Sequence, residues 1–282
     1  MEVNPFKLKK ELPRLPGYII VTLWTAFIFC MIGWIILASL STTKEIFTGS
    51  LLASGLHFEN YTKALFTNKA ALNLLNSVIY TVPSCILIIV VCAPAAYCMS
   101  RFKFRGAGLI QALIIIGLAI PNIMIVMPLF SIVSALNLSG TLFTLIFLYT
   151  ACSVPYTTFF LLTFFKGIST SFEEAAAIDG CGPIQCFWKI MFPLAQPAIV
   201  TVSIFNFIGK WNEYFMALIF ANKSNLRPIG VGLYQTVTSM MNSGDWAGMF
   251  ASVVIVFIPT VVIYAFLSDK IISGVTAGGN KG

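Results

Sequence analysis

Residues 142–165 read LFTLIFLYTACSVPYTTFFLLTFF, twenty-four consecutive positions without an Asp, Glu, Lys or Arg. About twenty apolar residues are what a helix needs to cross the roughly 30 Å hydrocarbon core of a bilayer. Working outward, three more runs of this kind precede it (18–40, 74–100 and 107–133) and two follow it (197–220 and 246–267). The reading is an all-α membrane protein with six transmembrane helices. Composition agrees: 58% of residues are hydrophobic and 10% charged, where soluble domains have roughly 45–50% and about 25%. The net charge of +7 resolves into short basic clusters beside the spans, as membrane orientation produces, which argues against a nucleic-acid partner. The run 18–40 is too long for a signal-peptide core and no clear A-x-A site follows it, so it is expected to stay as the first span. The chain then divides into a segment 1–17, a membrane domain 18–268 and a tail 269–282.

Lysine and arginine placement sets the orientation. Lys7, Lys9, Lys10, Arg14, Arg101, Lys103, Arg105, Lys166, Lys189, Lys270 and Lys281 fall on one side of the spans, and only Lys44, Lys63, Lys69, Lys223 and Arg227 on the other. The richer side is the cytosolic one, so both termini are expected inside. Pro83, Pro94, Pro121, Pro128, Pro155 and Pro259 lie within the spans, where neighbouring helices can satisfy the backbone groups that proline frees. The seven cysteines show no zinc-ligand spacing and are read as small apolar packing residues. His57, the one histidine, lies in an outside segment and makes neither a metal site nor a catalytic dyad by itself.

One inside loop, 166–196, is long enough to hold a partner. Ser171 and Glu174 have the spacing of a capping box. Three alanines favour a short helix, Gly180 is placed to end it, and Pro183 to open another. In that second helix Ile184, Phe187, Trp188 and Met191 recur at i, i+3, i+4 and i+7, one apolar stripe suited to the membrane interface. Taken alone, Glu173 and Glu174 are first-turn charges that complement the helix dipole.

Taken together, the loop is similar to the one shared by permease subunits of binding-protein-dependent ABC importers: E-A-A, three residues, G, nine residues, I-x-L-P. Here Glu174-Ala175-Ala176 is followed after three residues by Gly180 and after nine more by Ile190-Met191-Phe192-Pro193, with Phe192 standing where leucine is usual. Trp211-Asn212-Glu213-Tyr214-Phe215 and the glycine-rich tail 274–282 resemble the carbohydrate branch of that family, related to the maltose-transporter permeases.

The resemblance implies a type I importer permease in the inner membrane, with a cytosolic coupling helix that docks on an ATPase. Glu174, Ala175, Ala176 and Gly180 would form the docking surface, Glu173 and Asp179 its edges, and Ile190 and Pro193 the end of the motif. It also implies partners: two copies of a cytosolic P-loop ATPase, a second homologous permease, an extracytoplasmic solute-binding protein, and membrane lipid. No G-x-x-x-x-G-K-[ST] sequence occurs, so the expectation is a transport component without catalytic residues, metal or cofactor of its own, ATP and Mg being bound by the partners. The implied cargo is a sugar or oligosaccharide. Polyamine, glycerol phosphate or peptide importers share the loop, and an ion-coupled carrier is the alternative from another class, one that would call for more intramembrane carboxylates.

The fifth run, 197–220, carries Asn206, Lys210, Trp211, Asn212, Glu213 and Tyr214. A central Lys or acidic residue costs about 2.5–3.5 kcal/mol on insertion, while each Leu, Ile, Phe or Val offsets about 0.3–0.6. Two such charges leave the span marginal, so they should face protein or a wet path. Two readings stand. In one, Lys210 and Glu213 pair at i, i+3, or snorkel, and serve packing. In the other, Asn206, Asn212 and Glu213 line a path and bind sugar hydroxyls, with Trp211 and Tyr214 offering aromatic faces.

Overall fold

The computed structural model describes residues 14–279, with side chains except at 241 and 267–279. Of the basic N-terminal cluster only Arg14 is included; Lys7, Lys9, Lys10 and tail residues 280–282 lie outside the described residues. In chain order the helices are α1 (Leu15–Ser39), α2 (Thr43–Thr48), α3 (Glu59–Thr62, running on through a π turn, Lys63–Thr67), α4 (Ala70–Arg101), α5 (Ala107–Ala119), α6 (Asn122–Ala135) and α7 (Leu142–Lys166). There follow α8 (Ser171–Ile178), α9 (Pro183–Leu194), α10 (Gln196–Trp211), α11 (Phe215–Phe220), α12 (Ile229–Ser243) and α13 (Trp246–Gly279). Among the described residues there is no strand.

Helices α1, α4, α7 and the Trp246–Phe266 part of α13 are each long and apolar enough to cross a membrane, close to the expected runs 18–40, 74–100, 142–165 and 246–267. Pro83 and Pro94 sit inside α4, and Pro155 inside α7, without ending either helix.

Two expected spans are not straight helices. The run 107–133 breaks into α5 and α6, which meet at 108°. Pro121 is the cause: the residue before a proline is driven out of the helical region, and Ile120 has ψ 118°, with Pro121 itself extended at ψ 131°. The run 197–220 ends its first helix at Trp211 and resumes only at Phe215. At its other end α10 meets α9 at 72°.

The chain folds into two compact units. One comprises the chain up to Lys69 together with Gln235–Phe257. Its organising group is Glu45, a buried carboxylate in the turn after α1. Glu45 Oε2 accepts the Thr42 N–H at 2.8 Å while the Thr42 hydroxyl accepts the Glu45 N–H at 3.3 Å, a reciprocal capping box on α2. Oε1 accepts both the N–H and the hydroxyl of Ser54, at 2.5 and 2.6 Å. These bonds, led by the Ser54 hydroxyl and the Thr42 N–H, hold the Glu45 carboxyl down at about 2, far below its ordinary 4.5. His57 bridges Ser54 and Glu59 (Nε2 to Oγ 2.8 Å, Nδ1 to Oε1 2.5 Å). Farther along, Lys63 pairs with Asp245, and Trp34 meets Phe250 edge-on at 5.3 Å.

The other unit comprises Ala70–Tyr234 and the chain from Ile258 onward. Here α4 and α7 form the central pair, with α5 and α10 packed against them. Gly117 of α5 lies so close to α7 that a Cβ there would stand 2.9 Å from Pro155 Cγ. One core gathers Ile88, Cys92, Ala96, Leu161, Phe165 and Met191, and a second gathers Tyr80, Leu145, Tyr149, Ala217 and Phe220. The polar edge of α4 anchors the segment before α12. Asn76 Nδ2 donates to the carbonyls of Asn225 and Arg227 (2.9 and 3.0 Å), Tyr80 donates to that of Leu226 (2.7 Å), and the Ser77 hydroxyl accepts the Ile229 N–H (2.8 Å).

Candidate functional site

The alanine-rich stretch forms α8 as expected, but its N-terminal cap differs. Thr170, with a helical backbone (φ −67°, ψ −18°), precedes the helix, and Ser171 is its first residue. A capping box needs an extended cap residue whose side chain swings back onto the first turn. Here the Thr170 carbonyl accepts the N–H groups of Glu173 and Glu174, and the Thr170 hydroxyl donates to Glu174 Oε1 at 3.1 Å. Ser171 instead donates its N–H to the Ser169 hydroxyl at 3.3 Å.

The far end is a Schellman turn. Gly180 takes φ +78°, its N–H reaches the Ala177 carbonyl at 3.1 Å, and the Cys181 N–H reaches that of Ala176 at 2.9 Å. This left-handed position is the one that glycine fills without strain.

The residues of α8 divide into two sets. Ala176 is turned into the core at 3% exposure. Glu173 is turned inward too: its Oε1 accepts the Tyr97 hydroxyl at 2.8 Å, and its Oε2 lies 2.6 Å from Arg101 Nε. That N–H does not point along the contact, which makes it an ion pair rather than a hydrogen bond. Glu174, Ala175, Asp179 and Gly180 are exposed. Beside them stands Ile178, exposed at 87%, with Phe172 also open. An isoleucine bare to that degree on a short surface helix marks a contact face. The sequence held the signal, an apolar residue among the alanines just before the terminating glycine.

The second helix of the loop, α9, opens on Pro183 at its first position as expected, but its stripe is split. Phe187 and Met191 are buried while Ile184 and Trp188 are exposed. The cause is a π turn across Phe187–Met191, which changes the number of residues per turn and so breaks the 3.6-residue register on which the stripe rests. Ile190 is half-buried against the core and Pro193 is exposed.

At the break after α10 the polar residues separate. Asn206 is buried and donates to the Thr157 hydroxyl (2.9 Å) and the Val202 carbonyl (3.0 Å). Trp211 Nε1 donates to the Thr260 hydroxyl at 3.3 Å. Asn212 is exposed, its amide folded back on the Ile208 carbonyl at 3.0 Å. Glu213 caps α11: Oε1 accepts the Met216 N–H at 2.7 Å, and Oε2 accepts the Ala217 N–H at 3.0 Å and the Tyr149 hydroxyl at 2.8 Å. Lys210 does not pair with Glu213; its ammonium stands 5.3 Å over the ring of Tyr149. Tyr214 meets Tyr234 edge-on at 5.6 Å.

Compared with known proteins, residues 86–276 match the family model described as "Binding-protein-dependent transport system inner membrane component". The diacetylchitobiose uptake system permease protein of Streptomyces coelicolor is 30% identical over 93% of this chain and 87% of its own. The trehalose transport system permease protein of Mycobacterium tuberculosis is 30% identical over 93% and 95%. The trehalose/maltose transport system permease protein of Thermococcus litoralis is 31% identical over 88% and 90%. In fold, a chain from the crystal structure of a bacterial ABC transporter involved in the import of alginate, an acidic polysaccharide, superposes with a TM-score of 0.76 at 24% identity, over 91% of this chain and 96% of that one. A multi-pass helical chain with a small-residue helix bared at its surface and a family match across most of its length is a transport component that works with an ATPase and a solute-binding protein, and it belongs to the binding-protein-dependent transport system inner membrane components.

Proposed function

We propose that this chain is one of two homologous permease subunits of an ATP-driven importer that carries a sugar or oligosaccharide inward by alternating access. The observation that carries the reading is the outward face of α8: Glu174, Ala175, Ile178, Asp179 and Gly180, exposed together on a helix whose other side is fastened to the bundle. Small residues let a helix seat deep in a groove, and a free carboxylate can meet a basic group on its wall. Two ATPase copies, holding the ATP and Mg, drive the cycle, one copy meeting α8 of each permease. Both termini lie in the cytosol, and a binding protein delivers cargo on the opposite side.

The sugar assignment is supported by the names of the relatives and by the interrupted fifth span. Irregular backbone at membrane depth is tolerated where it is buried in protein or lines a water-filled cavity, and broken helices are a common way of building a solute path. Residues 212–214 supply such a break, with the exposed amide of Asn212 free to meet a hydroxyl.

The test is to purify the subunit in mild detergent from its native membrane, reconstitute what co-elutes, and screen the captured binding protein against sugars. ATP hydrolysis stimulated by the loaded binding protein, with uptake of the same sugar, is the expected result. A subunit that emerges alone, or stimulation by non-sugar solutes only, overturns the reading.

A further inference from the structure

The two adjacent glutamates of α8 point in different directions, about 100° apart around the helix, and their surroundings differ accordingly. Glu174 is exposed and touches only Thr170, whereas the side chain of Glu173 retains 18% of its exposure and that of its partner Arg101 retains 11%. Arg101 is the last residue of α4, and its Nη2 donates to the carbonyl of Ile168 at 2.8 Å. One guanidinium thus holds both the first turn of α8 and the linker that leads into it from α7. Tyr97, one turn earlier on α4, adds its hydroxyl to the same carboxylate. Its ring is clasped by Phe165 of α7 (5.7 Å) and Phe187 of α9 (5.1 Å). Apart from this cluster, Ala176 is the one buried residue of α8.

We propose that Glu173, Arg101 and Tyr97 form a strut that transmits movement of α8 to α4, Glu173 being a positioning residue and not part of the ATPase-docking face. The physical ground is stiffness. A largely buried charge pair joined by further hydrogen bonds to two side chains and a carbonyl resists sliding, whereas one buried alanine methyl would let an eight-residue helix rock. A push on α8 then reaches α4, a 32-residue helix that forms one wall of the bundle. The inference rests on the importer reading above.

The experiment uses the complete transporter with its ATPase and binding protein in proteoliposomes, and reads solute transported per ATP hydrolysed together with ATPase co-purification. Glu173→Gln and Arg101→Gln are expected to retain the ATPase while transport per ATP falls about tenfold or more, since each leaves a buried group without its charged partner. The charge swap Glu173→Arg with Arg101→Glu is expected to recover part of the loss. Tyr97→Phe keeps the ring packing, removes one donor, and is expected to give a smaller loss of the same kind. Glu174→Lys serves as the contrast and is expected to shed the ATPase. Loss of the ATPase in Glu173→Gln would make Glu173 a docking residue and overturn the strut. Wild-type transport per ATP in Glu173→Gln would also overturn it, as would the same result in Tyr97→Phe should the charge variants fail to insert. A wild-type complex without solute-stimulated hydrolysis would instead sink the importer reading.

Discussion

Gly180 and Glu174 are separated by under two helical turns and test different physics. At Gly180 a side chain would meet nothing within 4 Å, so space is not the constraint; the φ of +78° is. A residue with a Cβ in that conformation costs about 1–2 kcal/mol, with asparagine less penalised. Gly180→Ala is therefore expected to weaken ATPase retention, Gly180→Asn to be milder, and Gly180→Pro to abolish uptake without loss of membrane insertion. Glu174→Lys should abolish uptake with α8 intact, since that side chain holds nothing in the fold beyond Thr170. Pull-down and uptake on the same preparations separate these cases. Glu45 makes a pH prediction. A carboxyl held at about 2, below its ordinary 4.5, lends stability that is complete above the ordinary value and is lost as pH falls through the lowered one. The segment 42–57 should keep its amide protection down to pH 4.5 and lose it progressively toward pH 2, read by hydrogen exchange at Thr42 and Ser54. Glu45→Gln should show the loss already at neutral pH.

Among the helices, the tightest approach made by a glycine to a rigid group is that of α5 to α7 at Gly117. Gly117→Ala places a methyl 2.9 Å from a proline ring that cannot turn aside, so the two helices must part. A destabilisation of about 1–3 kcal/mol, as for other overpacked sites, is expected as a lowered melting temperature in detergent. At α11, Glu213→Ala removes an acceptor used by three donors and should cost about 2 kcal/mol or more, whereas Glu213→Gln keeps one acceptor oxygen and should cost less. If uptake follows the melting temperature through this pair, the residue is structural; if Glu213→Gln loses uptake at full stability, it touches solute. Where helices exist could be read from apolar runs, because the bilayer sets their length. Where they break could not. The turn at Ile120-Pro121 needed the knowledge that this proline, unlike Pro83, Pro94 or Pro155, has no continuous helix on its far side. The gap at 212–214 depended on a carboxylate finding backbone donors in the next helix. The motif of α8 was legible residue by residue. The inward turn of Glu173 was not, because its partners Tyr97 and Arg101 lie over seventy positions away and Arg101 reads as an ordinary loop cation.

For the molecule as a whole, the most apolar stretch of α1 has no buried residue, and Ile20, Trp24, Phe27 and Phe29 stand open. A helix so bare is matched to lipid or to another apolar helix, and a subunit built this way gains little from its own first span. The intact assembly is expected to contain this chain once, a second permease once and the ATPase twice, read as a native mass in nanodiscs. Two copies of this chain with no second permease would revise the pairing.

The π turn in α9 carries a lesson about length. With hydrogen bonds reaching five residues back, Phe187–Met191 holds one residue more than an α-helix would over the same turn. Deleting any one of the five would let the segment relax to α-helix and rotate everything after it by about 100° relative to α8. Met191 would swing off the core and the entry to α10 would face another way. In a deletion scan this stretch should therefore be intolerant out of proportion to its side chains, with a conservative replacement survivable where the loss of a single residue is not.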